Sequence, residues 1–288
     1  MNINKLCFLC SSTHISYSTV PYIANDIQNL CKNLFINYLK SLQNMKKLVL
    51  FLTVAVFLTI SVTAQDNQIP LIGSEAPSFK AESTNGKMTF PDDYGKSWKI
   101  LFSHPQDFTP VCSSELLELA YLQDEFKKLN TEIAIISTDE VKIHNLWKTH
   151  LEELNYKDRG PQTIYFPIID DHEALASRKY GMLHEPTSTT KDVRGVFIID
   201  KNNKIRSINF YPMEVGRNMQ EILRTVEALQ TTDETKVLTP ANWIKGGDVL
   251  VPYFPYTAEQ LEKDPDVAKQ FYNVGNRMWF KKGNLQQQ

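Results

Sequence analysis

Trp98-Lys99-Ile100-Leu101-Phe102-Ser103 runs directly into His104-Pro105-Gln106-Asp107-Phe108-Thr109-Pro110-Val111-Cys112-Ser113-Ser114-Glu115-Leu116. The first stretch is a compact apolar run bounded by turn residues, which predicts a buried strand. After the proline-flanked loop His104 to Val111, apolar residues at Leu116, Leu119, Ala120, Leu122 and Phe126 recur at three- and four-residue spacing, which predicts a helix over Ser113–Leu129. Cys112 then stands at the N-terminal end of a helix that follows a strand, where unpaired N–H groups and the helix dipole favour a thiolate. An ordinary thiol, with a pKa of about 8.5, is only a few per cent ionised at pH 7. Raising the thiolate roughly thirtyfold takes about 3.4 kcal/mol, and a helix end supplies about 0.3–1 kcal/mol, up to about 2 in good geometry. A reactive Cys112 therefore requires a cationic neighbour; without one it reads as a small buried hydrophobe.

Outward from this unit the strand–loop–helix pattern repeats. Glu132–Ser137 predicts a strand, Val141–Leu154 a helix, Phe166–Ile169 a strand, and Glu173–Tyr180 a short helix closed by Gly181. Val196–Ile199 and Ile205–Phe210 flank the turn Asp200-Lys201-Asn202-Asn203 as a hairpin, and Asn218–Leu229 is amphipathic with helical period. Upstream, Pro70, Gly73, Pro77, Gly86, Pro91 and Gly95 separate short apolar stretches of a β-hairpin leader. Strands alternating with helices and then a hairpin predict an α/β fold with a mixed central sheet. The domain is expected over residues 65–230. From residue 231 to 288, Pro240, Pro252, Pro255, Pro265 and Gly246-Gly247 mark a smaller module. Its exposed-looking aromatics Trp243, Tyr253, Phe254 and Tyr256 suit packing on a second subunit.

The chain has 288 residues, 42% hydrophobic, with a net charge of −2, enough apolar side chain for a core and no basic excess for nucleic-acid binding. Of its cysteines, Cys7, Cys10 and Cys31 precede Met45, leaving Cys112 alone downstream. From Met45, Lys46-Lys47, an apolar run from Leu48 to about Val62, and Val62-Thr63-Ala64 before Gln65 have the form of a secretory signal peptide over residues 45–64. Thr53, Thr59, Ser61 and Thr63 interrupt or end the run, which is shorter than the roughly 18–20 residues that span a bilayer, so a retained membrane anchor is the alternative. Residues 1–44 show no sustained periodicity and are expected to be a non-native or disordered extension, with translation starting at Met45. Cys7-Phe8-Leu9-Cys10 lacks the further ligands of a zinc site and the domain of a redox motif. Residues 1–64 hold five lysines, no arginine and one aspartate, which leaves 26 basic and 32 acidic residues and a net charge of −6 on an exported, periplasmic or secreted, chain. With one cysteine, that chain forms no internal disulfide.

The stretch His104 to Leu116 closely resembles the active-site signature of the peroxiredoxins, specifically the one-cysteine class. The resemblance spans nearly all of residues 68–262: Gly73-Ser74-Glu75-Ala76-Pro77-Ser78-Phe79 is similar to the family's entry, Val193-Arg194-Gly195-Val196-Phe197-Ile198-Ile199-Asp200 to its arginine strand, and Gly216-Arg217-Asn218 to its second arginine. Leu238-Thr239-Pro240-Ala241-Asn242-Trp243 with Gly247-Asp248 resembles the one-cysteine C-terminal extension, and residues 263–288 resemble it less. The resemblance implies a thioredoxin-like fold with a small C-terminal α+β extension used in dimerisation. It implies that Cys112 is the peroxidatic nucleophile, Thr109 the hydroxyl that bonds the peroxide oxygens, and Pro105 a shield against water. Arg194 would be the missing cation, Arg217 a second, and Glu115 the group that orients them; His104 matches the class without an assigned role. Arg217 also reads as a surface residue near a helix start, and Glu115 as a first-turn acid favoured by the dipole.

The implied activity is thiol-dependent reduction of hydrogen peroxide and organic hydroperoxides through a sulfenic acid on Cys112, which an external thiol, of thioredoxin or glutathione type, must reduce. No cofactor, metal or nucleic acid is implied; a homodimer or higher homo-oligomer is. Thr109 occupies the place of the first cysteine of a thioredoxin-type motif, so the site has no dithiol chemistry of its own. Some one-cysteine members carry a phospholipase serine element, but Gly95-Lys96-Ser97-Trp98-Lys99 lacks its second glycine and Pro91 stands where its histidine is expected. The rival classes are a redox-linked holdase or structural oligomer, in which Cys112 is incidental, and a metal-binding module, for which the histidines His104, His144, His150, His172 and His184 are too scattered.

Overall fold

The computed structural model describes residues 21–60, 69–275 and 277–284 and divides into two units, Met1–Gln65 and Asp66–Gln288. In the first unit helix α1, Pro21–Ile60, runs without a break through Met45, where the sequence shows no sustained periodicity. The reason is visible in Leu34, Phe35, Ile36, Tyr38 and Leu39, all exposed at near-consecutive positions, so the helix has no single apolar face. Among the described residues no helix is long and apolar enough to cross a membrane. The Cys7–Cys10 pair and the Val62-Thr63-Ala64 signal lie outside the described residues.

In the second unit β1 (Phe79–Ala81) and β2 (Met88–Phe90) form the expected antiparallel leader hairpin. They are followed by β3 (Trp98–Ser103), α2 (Pro110–Lys128), β4 (Thr131–Ser137), α3 (Val141–Glu152), β5 (Ile168–Asp170), α4 (Leu175–Lys179), β6 (Arg194–Ile199), β7 (Ile205–Tyr211) and α5 (Met219–Thr235). The strand order is β5-β4-β3-β6-β7, with β3, β4 and β5 mutually parallel and β6 and β7 antiparallel to their neighbours. This is the mixed sheet of a thioredoxin-like α/β fold. β3 is central and buried along its whole length. Ile100 and Phe102 point to one face, against Leu116, Phe126, Trp147 and Val226 of the helices, and Leu101 points to the other, with Phe79, Phe90 and Tyr180.

α2 starts at Pro110, three residues before the expected Ser113. Proline there is the first helical residue, where its missing N–H costs nothing and its φ is already helical. Cys112 thus lies inside the first turn. α5 is capped by the Asn218 side chain, which accepts from Glu221 N, and continues past residue 231 to Thr235. The C-terminal segment adds β8 (Val249–Val251), α6 (Ala258–Lys263), β9 (Phe271–Val274) and β10 (Met278–Lys281), an antiparallel sheet in the order β8-β10-β9 with one helix. Its aromatics are only partly exposed: Tyr253 is open to solvent, but Trp243 is buried with its indole N–H donated to the Gly247 carbonyl.

The topology determines where the site must form. Because β3 and β4 are parallel, the loops that follow them leave the sheet at the same edge. β6 is antiparallel to β3, with Phe102 opposite Val196, so its first residue, Arg194, lies at that edge too. Tyr211 at the end of β7 pairs with Arg194, so the chain entering α5 returns there carrying Arg217.

Candidate active site

Cys112 has no exposed surface and sits in the first turn of α2, whose Val111 and Cys112 N–H groups have no acceptor within the helix. Arg194 Nη1 is 3.2 Å from its Sγ and donates also to Glu115 Oε2 at 2.8 Å. The rest of the Arg194 guanidinium, Nε at 2.9 Å and Nη2, donates to the Met213 carbonyl. Arg217 closes on the same carboxylate: Nη2 donates to Oε2 at 2.7 Å, and Nε and the backbone N–H to Oε1 at 2.9 and 2.7 Å. Arg217 Nη1 is held by the carbonyls of Ser103 (2.8 Å) and Gly195 (2.7 Å), and the guanidinium lies over the Phe102 ring. Arg217 is therefore buried, not a surface residue.

Burial alone would raise the Glu115 carboxyl, but the charge and hydrogen bonds of Arg217, joined by Arg194, outweigh it and hold it below the ordinary carboxylate range. Two buried guanidinium groups against one carboxylate leave one positive charge, which a thiolate on Cys112 neutralises. This is the cation whose need follows from the helix-end arithmetic.

The loop between β3 and α2 carries the other expected residues. Pro105 is buried. Thr109 has extended backbone at the N-cap of α2, and its hydroxyl donates to the Gln106 carbonyl at 2.9 Å instead of capping the helix. His104 is fully buried, and its Nε2 meets Asp107 Oδ1 at 2.8 Å. Burial pushes His104 below its ordinary value, and Asp107 opposes this only in part. The site also draws in residues to which the sequence reading assigned no role. Asp107 Oδ2 accepts from Nδ1 of His144 at 2.7 Å, and the Asp107 N–H donates to Asp139 Oδ2 at 2.8 Å. Burial would raise Asp107, yet the hydrogen bonds from His104 and His144 prevail and lower it. Ser103 Oγ donates to the Val193 carbonyl at 2.6 Å and accepts from Gly195 N at 2.8 Å, which fixes the start of β6.

His104, Asp107 and Asp139 bring ligand-type atoms within 4.8 Å of one another. His104 Nε2 is held by Asp107, Lys191 pairs with Asp139 at 3.0 Å and His144 takes the second Asp107 oxygen, while His104 Nδ1 is buried without a partner. His144 and His150, two of the histidines too scattered in sequence for a metal-binding module, both reach this loop, His144 through Asp107 and His150 beside the Phe108 ring.

Residues 72–208 match the model of the AhpC/TSA family, and residues 228–263 that of the C-terminal domain of 1-Cys peroxiredoxin. The chain is 51% identical over 185 residues to a peroxiredoxin of Methanosarcina mazei, a match covering 64% of this chain and 84% of the relative. A peroxiredoxin of Thermotoga petrophila is 48% identical, with 69% of this chain and 91% of the relative covered. Among solved structures, a yeast mitochondrial 1-Cys peroxiredoxin superposes with a TM-score of 0.64 at 37% identity, covering 75% of this chain and all of the other. Peroxiredoxin 6 of Arenicola marina gives 0.65 at 32% identity, covering 74% and 98%. With these relatives, this thioredoxin-like sheet and a cysteine at the start of α2, the chain belongs to the peroxiredoxin family of thiol-dependent peroxidases.

Proposed function

We propose that the chain reduces hydrogen peroxide and organic hydroperoxides through Cys112, without a resolving cysteine of its own downstream of residue 64. The observation that carries this is the 3.2 Å contact of Arg194 with Sγ, made by a guanidinium that Glu115 and Met213 hold in place. The Cys112 thiolate attacks one peroxide oxygen. An S–O bond forms as the O–O bond breaks, sulfur is oxidised to the sulfenic acid, and the departing oxygen takes up a proton to leave as water or alcohol. Arg194 and the Thr109 hydroxyl stabilise charge on the two oxygens more strongly as they separate than in the bound peroxide. Pro105 excludes water, Arg217 adds the second positive charge, Glu115 fixes both arginines, and His104 supports the loop through Asp107.

Reduction of the sulfenic acid requires an external thiol, which condenses with it to a mixed disulfide and water before a second thiol releases Cys112. A thioredoxin- or glutathione-type donor is supported by the yeast relative, described as resolved via glutathione/thioredoxin systems. The C-terminal sheet is the part available for a homodimer or larger homo-oligomer. Residues 45–64 act as a signal peptide that exports the chain, or, if retained, as an anchor. N-terminal sequencing of natural material beginning near Gln65 checks the export reading.

The test of the peroxidase mechanism is peroxide-dependent loss of the Cys112 thiol, followed by stopped flow with hydrogen peroxide and an organic hydroperoxide. Its expected rate exceeds that of a free thiol by orders of magnitude and vanishes in Cys112→Ser. Oxidation no faster than a free thiol would overturn it. A screen of thiol donors then identifies the reductant.

A further inference from the structure

The proposed mechanism uses Asp107 through His104 and leaves its second contact, with His144, without a role. Asp107 lies in the loop between β3 and α2, and its carboxylate is fully engaged, by His104 from its own loop and by His144 from α3. The next residue, Phe108, has φ of +55°, a left-handed conformation that is sterically costly for a residue with a Cβ. Its ring is 53% exposed, so burial of the Phe108 side chain does not fix this turn. Phe108 leads directly to Thr109, Pro110 and the first turn of α2 with Cys112, so whatever holds Asp107 sets the entry of that helix.

His144 is fully buried, and both its ring nitrogens face acceptors: Nδ1 meets Asp107 Oδ2 at 2.7 Å, and Nε2 meets the Ile169 carbonyl of β5 at 3.1 Å. Asp107 is held as a carboxylate and a carbonyl oxygen has no proton to give, so both contacts are donations only when the ring carries both protons. The other titratable groups facing the ring are engaged elsewhere: His104 with Asp107, Asp139 with Lys191, and Asp170, at the end of β5, with His172 and with the Val141 N–H at the start of α3. At its N-terminal end the helix is bound to Glu140, whose carbonyl accepts from the His144 N–H.

We propose that His144 is a positioning residue for Cys112, donating from both ring nitrogens to join Asp107 of the active-site loop to the Ile169 carbonyl of β5 and so holding the Phe108 turn. As a role in Cys112 oxidation it rests on the peroxidase mechanism above. Two substitutions separate the two contacts. Asn places its amide nitrogen near the position of Nδ1 and keeps the donation to Asp107, whereas Gln places it near Nε2 and keeps only the donation to Ile169.

The experiment measures single-turnover oxidation of Cys112 by hydrogen peroxide in the full chain and in His144→Asn and His144→Gln, alongside ¹⁵N NMR of the imidazole nitrogens in the unmodified protein. The expected result is a rate within about threefold of the parent for Asn and lower by about tenfold to a hundredfold for Gln, as a small misplacement of reacting groups predicts. The ¹⁵N spectrum is expected to show an N–H at each of the two contacts, with Asp107 and with Ile169. Equal rates in both variants, equal slowing in both, or an unprotonated ring nitrogen would overturn the proposal. If the substitutions prevent folding, the ring signature of the unmodified protein decides. If unmodified Cys112 reacts no faster than a free thiol, the peroxidase mechanism falls, and the NMR result still decides whether the two-proton contact exists.

Discussion

Arg194 reaches Cys112 with the same nitrogen that it gives to Glu115: Nη1 lies 3.2 Å from the sulfur and 2.8 Å from Oε2. The guanidinium cannot turn away from the sulfur without breaking its bond to the carboxylate, and the carboxylate is fixed by three donations from Arg217. The charge beside Cys112 is thus pre-positioned at the cost of burying three ionised side chains. Such an arrangement is weak as a source of stability but strong as a source of electrostatic preorganisation.

Replacing Arg194 by Met removes that charge and is expected to slow Cys112 oxidation by about 10²–10³, the usual loss for one donor aimed at developing charge. Arg194→Lys restores a cation but not the fork that binds Cys112, Glu115 and Met213 together, so it should recover only part of the rate. Stopped-flow oxidation of folded variants, with circular dichroism as the control, reads both effects.

Glu115→Gln removes the one carboxylate that two buried guanidinium groups share. Removing one partner from a buried ion cluster costs about 3–5 kcal/mol, and urea unfolding should show a loss in that range. The cost should shrink in the double variant Glu115→Gln/Arg217→Met, because one of the two guanidinium charges that had shared the carboxylate is gone. A midpoint for Glu115→Gln equal to that of the parent would show that the carboxylate is not the counter-ion of the pair.

Asp192 supplies a pH dependence. It is fully buried, neither carboxyl oxygen has a partner, and burial, aided by the Asp171 charge, pushes it up to about 8 from 3.8. The folded chain then holds a proton that the unfolded chain has lost, so folding takes up a proton between those values and stability falls as pH rises from about 4 to about 8, levelling off above. The limiting slope is about 1.4 kcal/mol per pH unit. Asp192→Asn removes this contribution, so its stability relative to the parent should grow from pH 5 to pH 8. Parallel urea curves for the two chains across that range would show the acid to be ionised in the folded state.

Much of this architecture is legible in the sequence, and the exceptions have identifiable causes. β3 is readable because all six of its residues are buried and all are apolar except Lys99, whose ammonium is satisfied by Gly95 and Asn203, and Ser103, whose hydroxyl is satisfied by Val193. The start of α2 is misplaced because Pro110 reads as loop punctuation when it is the first helical residue. The arginines cannot be placed by periodicity at all: Arg194 lies 82 residues and Arg217 102 residues from the groups they hold, and only the strand order brings them to one edge. They entered through the resemblance. Asp107 and His144, 37 residues apart, had no such guide, because a buried histidine on an amphipathic helix looks the same whether it holds a loop or fills a core.

Gly195 tests whether close packing at the start of β6 sets the arginine geometry. A Cβ there would lie 2.9 Å from Ser103 Oγ, 3.0 Å from the Phe197 ring and 3.2 Å from Phe210. The first is closer than a Cβ comes to another atom and the two ring contacts are tighter than most, and the carbonyl of the same residue accepts from Arg217 Nη1. Gly195→Ala should cost about 1–3 kcal/mol, as overpacking of a filled core does. Part of that strain is against a hydroxyl that can be removed: in a Ser103→Ala background the Oγ is absent, although its bonds to Val193 and Gly195 are lost with it. The double-mutant cycle should therefore give a favourable coupling of about 0.5–1 kcal/mol, with the remaining cost due to the aromatic rings. If Gly195→Ala unfolds at the parent midpoint, or if the cycle is additive, close approach to Ser103 is not what requires glycine at this position.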